Sequence, residues 1–277
     1  MNILFWNANI GEKCKQTEQH KERIEALLVE LVTENKADIV VLAEYALDLL
    51  RVCDLLAVDG YSYKEARPIN SRCRVKLLLK EELSYEYYKD PKYYFIVKIT
   101  NAVGYEFLLG GVHFPSKLHL QIQDSCKRHA DDMVRELQDL KEKVIILGDF
   151  NSNPYEDIML NFNCFHALPY SDVVKQRNTR KSLETERRIF YNPMWNYINE
   201  FSNPHGTYYL NSNANIWTGY NILDQVLLSA NMIDDLENKD IKIITKVNEK
   251  ILVDACNIPD KKHYSDHLPI AFTIKGE

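Results

Sequence analysis

Six short apolar runs in this sequence each stop at, or start from, a polar side chain able to bind a metal ion or a phosphate. "ILFW" ends at Asn7, "IVVLA" at Glu44, "FLLGGV" at His113, and "VIILG" at Asp149, with Asn151 two residues on. "QVLLS" follows Asp224, and "LPIAFTI" follows Asp266 and His267. Continuous apolar runs of this length are the pattern of strands buried on both faces. Burying an unpartnered carboxylate is costly, so acids at strand ends need a common purpose or an exit to water. Singly, each has an ordinary explanation. Asn7 suits a turn, Glu44 a strand-end acid facing water, and His113 a hydrogen-bonded core histidine. Asp149 and Asn151 suit the turn before a helix, and Asp224 a loop cap. Their joint order and spacing favour one site, gathered at one rim of a sheet structure.

The elements between these ends set the architecture. Ile3 to Trp6 is a strand, and Ile24, Leu27, Leu28 and Leu31 follow at helical spacing from a start near Thr17. "DIVVLAEYA" is a second strand, so the chain opens strand, helix, strand, which predicts parallel pairing. From Tyr61 to Val112, "YSYKEA", "RVKLLLK", "YYFIVKIT" and "YEFLLGGVHF" predict antiparallel strands. A second amphipathic helix is expected over 118–141, with Met133, Val134, Leu137 and Leu140 on one side. Asn153-Pro154 reads as the cap and first residue of a short helix, "PYEDIML". Residues 165 to about 220 are irregular in pattern. Regular structure resumes at "NILDQVLLS", "IKIIT" and "HLPIAFTI". There is no internal repeat, low-complexity tract or linker. One α/β domain over 1–277 is expected, with two sheets packed face to face under flanking helices.

Composition narrows the class. With 277 residues, 45% hydrophobic and 27% charged, the chain can bury a large core. A formal net charge of −6 argues against a strongly basic nucleic-acid binder but leaves room for a local basic patch. Cysteines at 14, 53, 73, 126, 164 and 256 form no C-x-x-C pair, so neither a zinc ribbon nor a disulfide framework is expected. The first residues, "MNILFWNANI", begin a strand rather than a leader, and no run reaches membrane-span length. A soluble cytoplasmic protein is the expectation.

"FWNANI", "DIVVLAE", "GGVHFPS", "ILGDFNSNP", "LDQVLLS" and "YSDHLPI", in that order, resemble the successive motifs of the endonuclease/exonuclease/phosphatase superfamily. Its fold is shared by pancreatic-type deoxyribonucleases, apurinic endonucleases, tyrosyl-DNA phosphodiesterases, deadenylases, inositol phosphatases and neutral sphingomyelinases. The motifs span residues 2 to 272, and "GDFN" with "SDHLP" is the specific pair. The resemblance implies a four-layer α/β/β/α sandwich.

It also implies hydrolysis of a phosphoester by in-line attack of water, assisted by Mg2+ or Mn2+. On that reading Glu44 is the chief metal ligand, with Asn7 beside it and Asp266 assisting. Asp149 positions or deprotonates the water, and Asn151 donates its amide to a phosphoryl oxygen. His267 contacts the phosphate as an imidazolium held by Asp224. His113 stands where apurinic endonucleases carry a tyrosine, which resembles the deoxyribonuclease, tyrosyl-DNA phosphodiesterase and deadenylase branches. It would stabilise the phosphoryl charge or protonate the leaving group. Departures from the pattern are Asn9 in place of an Asp, Ala43 in place of a Gln, and Gln225 in place of the arginine of inositol phosphatases. His263 and His267 have zinc-like spacing, but the Ser-Asp pair before His267 speaks against such a site.

The substrate expected is a nucleic acid or another phosphodiester. Alternatives are a phosphomonoesterase, a sphingomyelinase-like phosphodiesterase, or a catalytically weak binding protein on the same fold. Lys175, Arg177, Arg180, Lys181, Arg187 and Arg188 form a basic segment, and aromatics follow, among them Tyr208 and Trp217. Cations beside aromatics suit a strand with unstacked bases; a solvated charge run before a small aromatic core explains them equally well. Arg187, Arg188, Trp217 and Tyr208 are the candidate substrate contacts. The segment around them is expected to fold back over the catalytic rim, where both its ends are anchored.

Overall fold

The computed structural model describes residues 1–11, 16–116, 120–139, 141–211, 218–237 and 241–276. The chain opens with β1 (Asn2–Ile10), α1 (Glu18–Glu34) and β2 (Ile39–Tyr45). Thr17 starts α1, its side chain accepting the His20 N–H, and Ile24, Leu27, Leu28 and Leu31 form the buried stripe. β1 and β2 pair in parallel, with Phe5 opposite Val41 and Asn7 opposite Ala43. A helix that the sequence reading passed over follows: α2 (Leu49–Val58), capped by Asp48, burying Leu49, Val52 and Leu56. The Asp48 cap ahead of that spacing was the available signal.

β3 (Tyr63–Glu65) and β4 (Val75–Lys80) complete one edge of the first sheet, and β5 (Ser84–Lys89), β6 (Tyr94–Thr100) and β7 (Glu106–His113) open the second. α3 (Leu120–Glu136) crosses to β8 (Val144–Asp149), which lies parallel to β7. The helix expected to reach Lys141 thus ends at Glu136; Leu140 lies outside the described residues. α4 (Asp157–Leu160) starts three residues after Pro154, because the Asn153 side chain is drawn away from capping. It donates to Asn221 Oδ1 at 2.8 Å and accepts the Ile222 N–H at 2.9 Å.

The stretch read as irregular carries short elements: β9 (Ala167–Leu168), α5 (Ser171–Gln176), β10 (Thr179–Ser182), β11 (Thr185–Arg188), β12 (Phe190–Tyr191), β13 (Tyr208–Leu210) and β14 (Gly219–Asn221). After it come β15 (Asp224–Ser229), β16 (Lys242–Ile243), the hairpin of β17 (Lys246–Val247) and β18 (Lys250–Ile251), and β19 (Ile270–Thr273).

Two mixed sheets result, ordered β16-β19-β1-β2-β4-β3 and β5-β6-β7-β8-β15-β12-β9. Alternation along the second sheet assigns its two faces. Phe95, Val97, Phe107, Leu109, Ile145 and Leu147 join the core shared with the first sheet. Ile96, Leu108, Val112, Val144 and Ile146 pack instead with Ala130, Met133 and Val134 of α3 and with Leu137 just after it. Each such burial contributes about 1.5–3 kcal/mol. With α1 and α2 over the first sheet, the layers run α/β/β/α, as the sequence implied.

The same topology explains why the polar ends meet. Each sheet holds a parallel pair closed by a long helix, β1-α1-β2 and β7-α3-β8, and the second has a further short parallel pair, β9 with β12, at its edge. Parallel strands point their carboxyl ends to one rim, so Asn7, Glu44, His113 and Asp149 arrive together. β15 and β19 run antiparallel to their neighbours, so their starts lie at that rim too. Gly148, just before Asp149, has φ +146°, and a Cβ there would sit 2.1 Å from the Val112 carbonyl oxygen. Only glycine allows β7 and β8 to close at this point.

Candidate active site

Ladder register places His113, Asp149 and Asp224 side by side on β7, β8 and β15. Asp149 is 1% exposed, and its carboxylate is held from three directions. Asn7 Nδ2 donates to Oδ2 at 3.0 Å from the opposite sheet. The Asn151 backbone N–H donates to Oδ1 at 2.8 Å, and Asn151 Nδ2 reaches Oδ2 at 3.1 Å and the Phe114 carbonyl at 2.8 Å. Asn151 makes these contacts with φ at 48°, a left-handed conformation asparagine tolerates. Glu44 adopts φ 45°, which is costlier for its side chain. Strain of this kind, of order 1–3 kcal/mol, collects where a site needs it.

Burial pushes the Asp149 carboxyl up to about 6, with His267 and His113 pulling it down and Asp224 pushing it further up. His267 Nδ1 lies 3.1 and 2.9 Å from the two oxygens of Asp224. Burial alone would lower this imidazole. The Asp224 charge and hydrogen bond, with Asp149 and Asp266 behind them, override it and lift the group to about 10. His267 is therefore a held cation facing a buried acid.

His113 Nε2 sits 3.2 Å from Glu44 Oε1 and 4.0 Å from Asp149 Oδ2. That hydrogen bond, above all, holds the Glu44 carboxyl below its ordinary range against desolvation. Glu44 is an ionised group with 37% of its side chain exposed, so a cation from solvent can reach it. Burial, and then the Glu44 charge, raises Asp266. His267, its own backbone N–H and Lys261 pull the other way, and among the described residues no other side chain hydrogen-bonds to the Asp266 carboxylate. Two hard oxygen groups that repel each other fit a divalent cation. Asp149, Asp224 and His267 also lie close together, their ligand-capable atoms within 4.8 Å of one another. That trio already satisfies itself, since Asp224 holds His267 and the two asparagines hold Asp149. Glu44, Asp266 and the Asn7 amide oxygen are left as the groups that could hold a metal ion.

Nine of the twelve anticipated residues meet here: Asn7, Glu44, His113, Asp149, Asn151, Tyr208, Asp224, Asp266 and His267. The Tyr208 ring lies 4.7 Å from that of His267, and β-bridging ties the two backbones. Trp217 lies outside the described residues. Arg187 and Arg188 are a correction. β12 pairs with Ser229 and Leu228, the end of β15 remote from Asp224, so the preceding hairpin hangs at the opposite rim. Arg187 Nη2 pairs with Asp131 of α3 at 3.3 Å. Arg188 is 2% exposed and spends its guanidinium on the carbonyls of Glu142 and Asp139, just before β8 begins. Only the later half of the 165–220 segment returns to the site. Arg188→Ala is accordingly expected to lower stability by about 2 kcal/mol, measured by urea unfolding, because it removes two hydrogen bonds and leaves a cavity where a buried side chain packed. Turnover at saturating substrate is expected to stay unchanged.

Two supporting residues were not anticipated. Ser265 Oγ donates to the Asn7 carbonyl at 2.7 Å and accepts the His267 N–H at 3.1 Å, fastening the first sheet to the histidine loop. Its place two before the histidine in "SDH" was a legible signal. Thr207 Oγ1 accepts the Leu223 and Asp224 N–H groups, each at 3.2 Å, and nothing in the local pattern marked it.

No protein-family model matches this chain, and no curated protein sequence matches it. Solved structures do. TDP2 of D. rerio, complexed with single strand DNA product, is 17% identical with a TM-score of 0.60, over 99% of this chain and 98% of that one. An endonuclease/exonuclease/phosphatase family protein from Bacteroides thetaiotaomicron is 13% identical with a TM-score of 0.60, over 100% and 98%. The human Nocturnin catalytic domain with bound sulfate anion is 15% identical with a TM-score of 0.55, over 100% and 94%. The chain has the endonuclease/exonuclease/phosphatase fold. In that fold the polar strand ends described above occupy one rim, and the excursion after β8 supplies both the far-rim hairpin and the Tyr208 return. Among the described residues no helix is long and apolar enough to cross a membrane.

Proposed function

We propose that this protein is a divalent-metal-dependent phosphodiester hydrolase acting on nucleic acid. The observation that carries this reading is the pairing of Asp149 with His267: a buried acid raised to about 6, beside an imidazolium held by Asp224. Above pH 6 Asp149 accepts a proton from water, and Asn7 and Asn151 keep its oxygens aimed. His267 offers positive charge where a phosphoryl oxygen gathers negative charge. The Nε2 of His113, between Glu44 and Asp149, is placed to donate to the phosphoryl group or the leaving oxygen. Glu44, Asp266 and Asn7 would hold Mg2+ or Mn2+, which when bound neutralises phosphate charge and polarises the reacting oxygens.

Nucleic acid is favoured over lipid or inositol phosphate by the aromatic ring of Tyr208 at the site. Tyr208 lies against His267, while Tyr209 and Tyr220, paired across β13 and β14, turn to the opposite face of that ribbon. A ring placed like that of Tyr208 accepts an unstacked base. The TDP2 relative with its single-stranded product points the same way. A pure binding role fits poorly, because binding alone does not need an acid and an imidazolium buried together. We place the protein in the cytoplasm, where its free cysteines at 53, 73, 126, 164 and 256 stay reduced.

The test is hydrolysis of single-stranded DNA, duplex DNA, RNA, an inositol phosphate and sphingomyelin with Mg2+ or Mn2+. EDTA is expected to abolish turnover and added metal to restore it. Glu44→Gln is expected to raise the metal concentration for half activity about tenfold or more. Full activity in excess chelator rules out the metal assignment.

A further inference from the structure

With Arg187 and Arg188 at the far rim, the catalytic rim needs another source of positive charge for a polyanion, and one is present. The loops before β4 and β6 meet beside the Glu44–His113 contact. Val75 lies opposite Ala43, next to Glu44, and the His113 N–H bonds to the Tyr93 carbonyl at 2.8 Å. From these loops two exposed cations converge on one ring. Arg74 Cζ stands 5.3 Å and Lys92 Nζ 5.0 Å from the Tyr93 centroid.

The two loops are braced as a unit. The Arg74 N–H bonds to the Lys92 carbonyl at 2.9 Å, and the Asn70 backbone N–H bonds to Asp90 Oδ2 at 2.7 Å. The Asn70 side chain donates to the Asp90 carbonyl at 3.0 Å and accepts the Arg72 N–H at 3.0 Å. The carboxylate of this loop is thereby committed to backbone. Among the described residues neither Arg74 nor Lys92 has an ion-pair partner. The fold thus holds two like charges on one ring, in an acidic protein, with no ion-pair partner for either among the described residues. A cation over a ring gains roughly 0.5–1 kcal/mol at an exposed site, too little to explain gathering two of them against their repulsion. An anion between them supplies what is missing.

We infer that Arg74, Lys92 and Tyr93 form a phosphate subsite for the nucleotide next to the scissile bond, on the His113 side of the centre. The inference rests on the hydrolase reading for its substrate, but not for its charge geometry. Tyr93 is one strand from His113, about 5 Å. A strand entering there lays one phosphate across the two cations as the next reaches Asp149. The nucleic acid is thus gripped by its backbone on this side and by a base at Tyr208 on the other.

The test compares wild type with the Arg74→Ala/Lys92→Ala double variant and the charge-preserving Arg74→Lys/Lys92→Arg. The probes are a labelled single-stranded oligonucleotide and the small diester bis(p-nitrophenyl) phosphate. The double alanine variant is expected to raise the oligonucleotide KM about tenfold and to flatten the slope of log Kd against log salt by about 0.7, as losing contact with one phosphate does. Its rate on the small diester is expected to stay at the wild-type value, and the charge-preserving variant to recover most of the affinity. An unchanged oligonucleotide KM and salt slope would overturn the subsite. So would equal losses on both substrates, which would mark these residues as structural. A wild type that cleaves neither probe, yet binds the oligonucleotide with a slope the double variant flattens, keeps the subsite and removes the hydrolase reading. Failure of wild type to bind the oligonucleotide overturns both.

Discussion

Replacing Asp149 by asparagine is expected to cut phosphodiester turnover about 1,000-fold while leaving the fold intact. The side chain is nearly isosteric, and its position is fixed by neighbours rather than by its own charge. Asn151 and Phe114 tie the loop, and Asn7 reaches across from the other sheet. An amide nitrogen cannot accept a proton, and it would turn an N–H towards Asn7 or Asn151 where an acceptor is required. The general-base contribution, about 100- to 10,000-fold, is lost. Substrate affinity is expected to change little, because Glu44, His267 and the cations of the neighbouring loops remain. Single-turnover hydrolysis and oligonucleotide binding, measured on the same preparation, check the two halves separately. Wild-type turnover in Asp149→Asn would reduce Asp149 to a turn acid.

The second large effect is expected at Asp224, where Asp224→Asn should lower turnover about 1,000-fold through His267. Both Asp224 oxygens face Nδ1, and the group is fully buried at the start of β15. Its charge outweighs the desolvation that otherwise lowers the imidazole. Without it, His267 loses its proton near neutral pH and its fixed orientation. A stability readout separates this from a mere packing defect. A histidine raised from 6.5 to about 10 contributes stability that is fully present below pH 6.5 and lost as pH rises through about 10. In metal-free protein kept in chelator, the wild-type Tm should therefore fall between pH 7 and 10. Asp224→Asn should be lower at pH 7 and flatter over that window. Parallel Tm curves for the two proteins would mean that Asp224 does not hold the imidazolium.

Much of the site was legible because its residues sit at strand ends. A buried strand leaves a one-dimensional mark, an apolar run of fixed length, and the residue where it stops is named by position alone. Asn7, Glu44, His113, Asp149 and Asp224 all follow from that rule, and the four-layer fold follows from strand–helix–strand units at 1–46 and 106–149. Local capping was readable where the cap is local, as at Thr17. It failed at Asn153, whose side chain is spent on Asn221 and Ile222, 68 and 69 residues away.

Tertiary structure alone decided the rest. Basic residues look alike in a sequence whether they face substrate or hold a loop. Arg188 ended as a buried brace because β12 pairs with the far end of β15, a fact set by ladder register and not by any local pattern. Arg74 and Lys92 carried no signal because they lie 18 residues apart on loops of different sheets, brought to one ring only when those sheets pack. Chain order and period determined which elements exist and which residues end them; the pairing of strands across the two sheets decided which of those ends share a site.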